Sequence, residues 1–414
     1  MREKDHGVYH LIGVVKNYDW GGTEFLSELL SIPNPNHEPM AEYWLGAHET
    51  SPSVVVSNDH KPLNRFISAD PERNLGSKVT KRFGRLPFLL KVLDVRNMLS
   101  IQVHPSKHTA EVEFARENKA KVPLDAANRN YKDDNHKPEL MVALSEFWLL
   151  HGFKPIDGLR ARLQSIPEFI SLLQIFDETG YDQLYKTVME MPQQSVNEML
   201  DPLLTRIIPQ FERQEFNKDQ EEFWVARAAT SFGDKTHSGR SGRVDRGIFS
   251  IYFFNLLHLR PGEGIFQDAG VPHAYLEGKN VEVMASSDNV LRGGLTSKYI
   301  DVKELMKNIK FEATIPQIIL PQRTRENEQQ YKTAAPDFKL SRFQLKKSML
   351  ARFQSVTGEI VLVLSGSVLL RGERNEIELK KGEAAFISAD QDIGLHVLSD
   401  VDLFRASVPV HHID

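Results

Sequence analysis

Residues 259–298 read LRPGEGIFQDAGVPHAYLEGKNVEVMASSDNVLRGGLTSK, and the reading of this stretch decides the fold. Its short apolar runs are each closed by a Gly or Pro, the way a compact antiparallel β-barrel is written. His273, Glu282 and Arg292 are spaced along it, and its glycines mark tight turns or close backbone approaches. On a small barrel inward positions alternate with outward ones, so this His, carboxylate and Arg are candidates for lining one cavity.

A second stretch strengthens that reading. In residues 99–105, LSIQVHP, Gln102 and His104 are two apart on a strand and so share a face. Such a pair is exposed, bonded to itself, or bound to a metal. Residues 130–140, NYKDDNHKPEL, open directly into the apolar MVAL, and Lys137 and Glu139 share a face in the same way. A carboxylate entering a buried strand needs a compensating cation; the alternative is a Lys–Glu pair at the surface. Lys91 interrupts the apolar run LPFLLKVLDV (residues 86–95), where a lysine either snorkels or serves a site. Asp19 and Trp20 sit in the turn after an early strand at residues 8–16, as a polyol-binding pair or as a turn with a packed Trp. Glu42, Trp44 and His48 lie along the next strand-like run. Together Gln102, His104, Glu139 and His273 offer amide oxygen, imidazole nitrogen and carboxylate oxygen from three separate strands. Two His and one Glu form a catalytic zinc set, and a neutral Gln suits a borderline-hard site. One carboxylate on Zn²⁺ leaves a net positive centre, hence a Lewis acid.

Elsewhere the pattern changes. From residue 156 to about 229 apolar residues recur at three and four positions (Leu159, Leu163; Phe169, Leu172, Leu173, Phe176), which predicts an inserted helical domain with Met and Phe in its core. Residues 231–247 are a Gly/Ser/Arg-rich loop, in which Arg240, Arg243 and Arg246 form a solvated connection or a phosphate-gathering lid. Strand character resumes at IFSIYFFNLLHL, residues 301–307 look helical, and residues 316–332 read as a linker. The last segment has a Gly/strand rhythm (Gly358, Gly366, Gly382) that repeats the earlier one without a His-x-His, so it is expected to be a second barrel without metal. The expected fold is mainly β with an inserted α domain. Its two barrels are a catalytic one built from residues 1–155 and 236–330 and a C-terminal one at 331–414; the helical domain occupies 156–235.

The totals set outer bounds. A chain of 414 residues suits two or three domains. The net charge of −5, with basic and acidic residues well mixed, argues against nucleic acid as a partner, so any anion must be held by a local basic pocket. The absence of cysteine excludes disulfides, thiolate zinc sites and Cys nucleophiles. No signal-peptide-like or membrane-spanning run is visible, so a cytoplasmic monomer without a membrane partner is expected.

The segments YDWGG, LPFLLKVL, LSIQVHPSK, NHKPEL, GFKP and the long PGEGIFQDAGVPHAYLEGKNVEVMASSDNVLRGGLTSK occur in the order and wording of the type I phosphomannose isomerases, which the chain resembles along essentially its whole length. The resemblance implies two cupin (jelly-roll) domains and a helical insertion. It implies one zinc at Gln102, His104, Glu139 and His273, a catalytic Arg292, and a substrate phosphate at Ser100 and Lys298. It also implies that Lys91, Lys137, Tyr275 and Glu282 line the site. The reaction implied is zinc-dependent interconversion of mannose 6-phosphate and fructose 6-phosphate through a cis-enediol. Glu282, then Lys137, then a water on the zinc are the candidate proton carriers. The chain departs from the family's usual wording in the Pro-Ser-Lys after His104, where Asp or Asn normally precedes the Lys, and in a longer polar segment at 111–130. The rivals are another metal-dependent cupin enzyme, such as a dioxygenase, and a non-catalytic sugar-binding cupin.

Overall fold

The computed structural model describes residues 7–56, 59–232, 242–325 and 327–409, and they form a mostly antiparallel β protein with helices set against it. The central element is the strand His273–Ala285. It pairs with Phe88–Val95 and Glu139–Ala143 along its C-terminal half, and with Phe147–Phe153 and Ile101–Val103 near its start. A register shift between Tyr275 and Glu277 lets one strand serve both sets of partners. It belongs to a ten-stranded sheet that also holds Val14–Lys16, Glu42–Gly46 and Leu291–Gly294. An eleven-stranded sheet is built mainly from the C-terminal segment. Both are branched open sheets rather than the closed barrels expected.

Alternation explains how a lysine and two glutamates enter apolar strands. Leu90, Val92, Leu140, Val142, Val281 and Val283 pack together with Leu11, Leu362, Phe386 and Phe404 of the larger sheet. The intervening positions, Lys91, Glu139 and Glu282, therefore turn to the opposite face, where Leu93, Met141 and Tyr275 also lie. Both faces are covered, so these strands read as near-continuous apolar runs.

Residues 156–232 form the helices Ile156–Ser165, Ile170–Glu190, Gln193–Glu212 and Glu221–Phe232, whose apolar faces join one core with Ile101, Val103 and Leu291 beside the site. The helix Lys107–Lys119 begins at Ser106, whose hydroxyl accepts from the Thr109 N–H at 3.1 Å. The serine that departs from the family's wording thus does the capping work of Asp or Asn.

Three local expectations change. Residues 248–253 are a helix, Gly247–Phe253, and only Phe254–Leu259 is strand. That helix is buried on every side, so its sequence has no polar face to show a period. The expected linker carries a hairpin of Gln322–Arg325 with Glu328–Tyr331, polar strands with little apolar alternation to betray them. The early strand breaks at Gly13: Val8–Ile12 pairs with Ala384–Ile387 of the larger sheet, and Val14–Lys16 with Glu42–Gly46.

Candidate active site

Strand register assembles the site. His273 lies opposite Gln102, and Gln102 opposite Arg292, so residues from three strands form one row on one face. His151 extends the row on the far side of His273. His104, two residues after Gln102, faces the same way. In a neighbouring row Trp44, Lys91, Glu282 and Met141 stand opposite one another.

His104 Nδ1 donates to the Asn289 carbonyl at 2.8 Å and His273 Nδ1 to the Val271 carbonyl at 2.9 Å. Both Nε2 atoms are thereby left as lone-pair donors, and both point at Glu139, 3.4 Å from its two oxygens. The ligand atoms of this His–Glu–His group lie within 4.8 Å of one another, and all three residues are buried. His104 Nε2 has no hydrogen-bond partner. An orphaned buried nitrogen beside a second imidazole and a carboxylate is the donor set of a zinc ion. Gln102 lines the same inner cavity, of about 50 Å³, with Glu139 and His273.

The electrostatics agree with metal-ready donors. Burial pushes His104 down to about 4, against the pull of Glu139, so the imidazole is neutral at neutral pH. Burial opposes ionisation of Glu139, yet the Lys137 ammonium at 3.1 Å and His104 hold its carboxyl well below the usual range. Lys91 sits 3.4 Å from both Glu42 and Glu282; burial opposes its charge, but the two carboxylates hold its pKa above the ordinary lysine value. One cation is therefore shared by two acids. Burial and the Glu139 charge push the proton affinity of Glu282 up against the pull of Lys91, while Tyr275 donates to Glu282 Oε1 at 2.7 Å.

Outside this cavity lies a cleft of about 1090 Å³. Ser100, Arg292, Lys298 and Asp19 line it, and Gln102, Lys91 and Lys137 are common to cleft and inner cavity. Tyr275, Glu139 and Glu282 belong to the inner cavity alone, and buried His104 adjoins it through the metal-ligand group. Burial pushes Arg292 below the ordinary arginine value, and burial with the Arg292 charge does the same to Lys298. Among the described residues neither has a carboxylate partner. A half-buried arginine and an exposed lysine on one cleft, neither paired with a described carboxylate, are a site for an anion. Of the arginine loop, Arg243 lines the cleft, Arg246 instead donates to the Met189 carbonyl, and Arg240 lies outside the described residues.

Sequence reasoning passed over three contributors. Glu42 pairs with Lys91, and Trp44 donates to Glu42 while its ring lies 5.0 Å from the Lys91 ammonium. Their i, i+2 spacing was the available signal. His151, which burial and the His273 charge hold at about 4, gave none, because its neighbour in the row is 122 positions away in the chain.

Buried imidazoles and a carboxylate beneath a cationic cleft, on antiparallel sheets, define the class: a metal-dependent enzyme site for a small anionic molecule. The model of the phosphomannose isomerase type I catalytic domain matches residues 8–156. The chain is 39% identical over 389 residues to the mannose-6-phosphate isomerase of Escherichia coli (strain K12), covering 92% of this chain and 95% of that protein. It is 34% identical over 432 residues to the Homo sapiens mannose-6-phosphate isomerase, covering 96% and 98%. The solved structure of mannose 6-phosphate isomerase from Salmonella typhimurium, bound to its substrate fructose 6-phosphate and to zinc, superposes with a TM-score of 0.85 at 34% identity, covering 97% of this chain and 99% of that one. The chain belongs to the type I phosphomannose isomerase family.

Proposed function

We propose that this protein is a zinc-dependent aldose–ketose isomerase that interconverts mannose 6-phosphate and fructose 6-phosphate. The observation that carries the reading is the convergence of two imidazole Nε2 atoms on Glu139 beneath a cleft holding Arg292 and Lys298, neither with a carboxylate partner among the described residues. Gln102, His104, Glu139 and His273 hold the zinc. When bound, the ion supplies fixed positive charge that offsets negative charge developing on the sugar oxygens.

Lys298 and Ser100 grip the phosphate by charge-assisted hydrogen bonds. Asp19, exposed at the cleft rim, accepts from a sugar hydroxyl. Once the ring is open, the proton on C2 leaves to a carboxylate, and its electron pair forms the C1=C2 bond of the cis-enediol as the C1=O pair moves onto O1, which takes a proton. The O2 proton is then lost, its pair forms the C2 carbonyl, and the C1=C2 pair takes the carried proton at C1 to give the ketose. Arg292, always cationic, stabilises the oxygen that gains charge and is a poor base. Glu282 is the proton carrier, oriented by Tyr275 and Lys91, with its proton affinity raised by burial and the Glu139 charge. Lys137, shared by inner cavity and cleft, is the second candidate for that role.

The same reading divides the chain into a catalytic cupin-like unit (1–155 and 236–330), a helical insertion (156–235) and a metal-free cupin-like C-terminal unit (331–414), with Val8–Ile12 lent to the sheet of the last. It makes the protein a cytoplasmic monomer of mannose metabolism. Among the described residues no helix is long and apolar enough to cross a membrane. The test is a coupled assay for fructose 6-phosphate from mannose 6-phosphate, before and after chelation and zinc re-addition. No turnover by zinc-loaded protein refutes the proposal.

A further inference from the structure

Asp245 stands outside the metal cluster and outside every segment that carries the family wording, yet it lines the cleft. Its carboxylate accepts three backbone N–H groups: Gly247 N at 2.7 Å and Leu295 N at 2.8 Å on Oδ1, and Thr296 N at 3.0 Å on Oδ2. Two of the three belong not to its own helix but to the turn that follows Arg292. That turn needs holding. Leu295 has φ +53°, a conformation side-chain-bearing residues rarely adopt, and Gly294 has φ +130°. The two chains cross so closely that a Cβ on Gly294 would lie 2.4 Å from the Gly247 Cα. Beyond the turn the Thr296 hydroxyl accepts from Lys298 N at 3.1 Å, which fixes the start of the lysine side chain.

We propose that Asp245 is a positioning residue for the anion site: its carboxylate clamps the turn between Arg292 and Lys298 and so sets the distance between the two cations. The proposal rests on the isomerase reading. Charge-assisted bonds to the main chain are strong and directional, and here they consume the carboxylate's charge inside the turn instead of presenting it to an incoming phosphate. A capping role for the helix Gly247–Phe253 accounts for only one of the three bonds. The other two make sense only if the turn itself must keep its shape.

The experiment compares Asp245→Ala and Asp245→Asn with the unaltered zinc-loaded enzyme, reading kcat and KM for mannose 6-phosphate and the competitive inhibition constant of inorganic phosphate. For Asp245→Ala, KM and the phosphate constant rise together by about tenfold, the loss expected from charge-assisted bonds. Zinc content is unchanged and kcat falls by less than about threefold, because the groups acting on the carbons are untouched. Asp245→Asn keeps one acceptor oxygen and falls between the two. A purely structural aspartate would lower thermal stability and leave the phosphate constant where it was; that result, or a fall in kcat at constant KM, overturns the assignment. If Asp245→Ala does not fold, Asp245→Asn decides on the same two constants. Absence of turnover in the unaltered enzyme would sink the isomerase reading instead, so the two failures are distinct.

Discussion

Replacing Lys91 by methionine removes the counter-ion of two buried carboxylates at once while keeping most of the side-chain volume. Lys91 lies 3.4 Å from Glu42 and from Glu282, and all three side chains are buried. At an effective dielectric of about 20, each contact is worth roughly 5 kcal/mol of attraction before desolvation is subtracted. Breaking such a pair by removing one partner costs about 3–5 kcal/mol net, because the remaining charge stays buried. Lys91→Met is therefore expected to lose about that much stability at neutral pH in chemical denaturation of the zinc-loaded protein. Adding Glu282→Gln should return part of the loss, since one of the two orphaned charges disappears. The pH dependence has a definite sign. In the variant Glu282, already pushed up by burial and the Glu139 charge, loses the opposing pull of Lys91, so its folded pKa stands further above its unfolded one, the native state binds more protons than the unfolded state, and stability falls as pH rises. The deficit is full above the raised folded pKa and closes as pH drops towards the unfolded carboxylate value. Loss below about 1 kcal/mol, or a double variant whose cost is the simple sum of the single ones, would refute the shared-cation argument.

Other outcomes follow from the same geometry. Arg292→Ala should lower kcat by about 10²–10³-fold, as for loss of a donor to a developing oxyanion, with zinc content unchanged by metal analysis; loss of metal would give Arg292 a different role. Glu139→Ala should abolish zinc retention after dialysis, because it removes the carboxylate on which both imidazoles converge; retained stoichiometric zinc would contradict the ligand set. Gly366→Ala in the larger sheet should cost about 1–3 kcal/mol, since its φ is +77° and a Cβ would lie 1.9 Å from the Asp400 carbonyl oxygen. Its zinc content and KM should not move, and a changed KM would couple that sheet to the site.

The legible part of the site was the part written locally. Gln102 with His104 and Lys137 with Glu139 announced a shared face through i, i+2 spacing, and a glutamate at the mouth of an apolar strand announced a cation. Helical periodicity placed the elements of 156–232, and the long stretch around His273 carried the family. What escaped was what register decides. The i, i+2 spacing of Glu42 and Trp44 gives them a face but not a neighbour, and only the pairing of Glu42–Gly46 with Phe88–Val95 puts them on Lys91. The helix Gly247–Phe253 escaped because full burial erases the period that identifies a helix.

By itself the sequence determined which groups were available: two imidazoles and a carboxylate that could hold a metal, an amide beside them, an arginine and a lysine further along, and no thiol to compete. Residue chemistry and the period of a strand are local properties, and they survive translation into a string of letters. The tertiary structure decided which nitrogen of each histidine is free, that one lysine serves two acids, and that Asp245 grips the turn before Lys298. Each depends on distances between residues far apart in the chain, and those are set only when the strands choose their partners and the core closes around them.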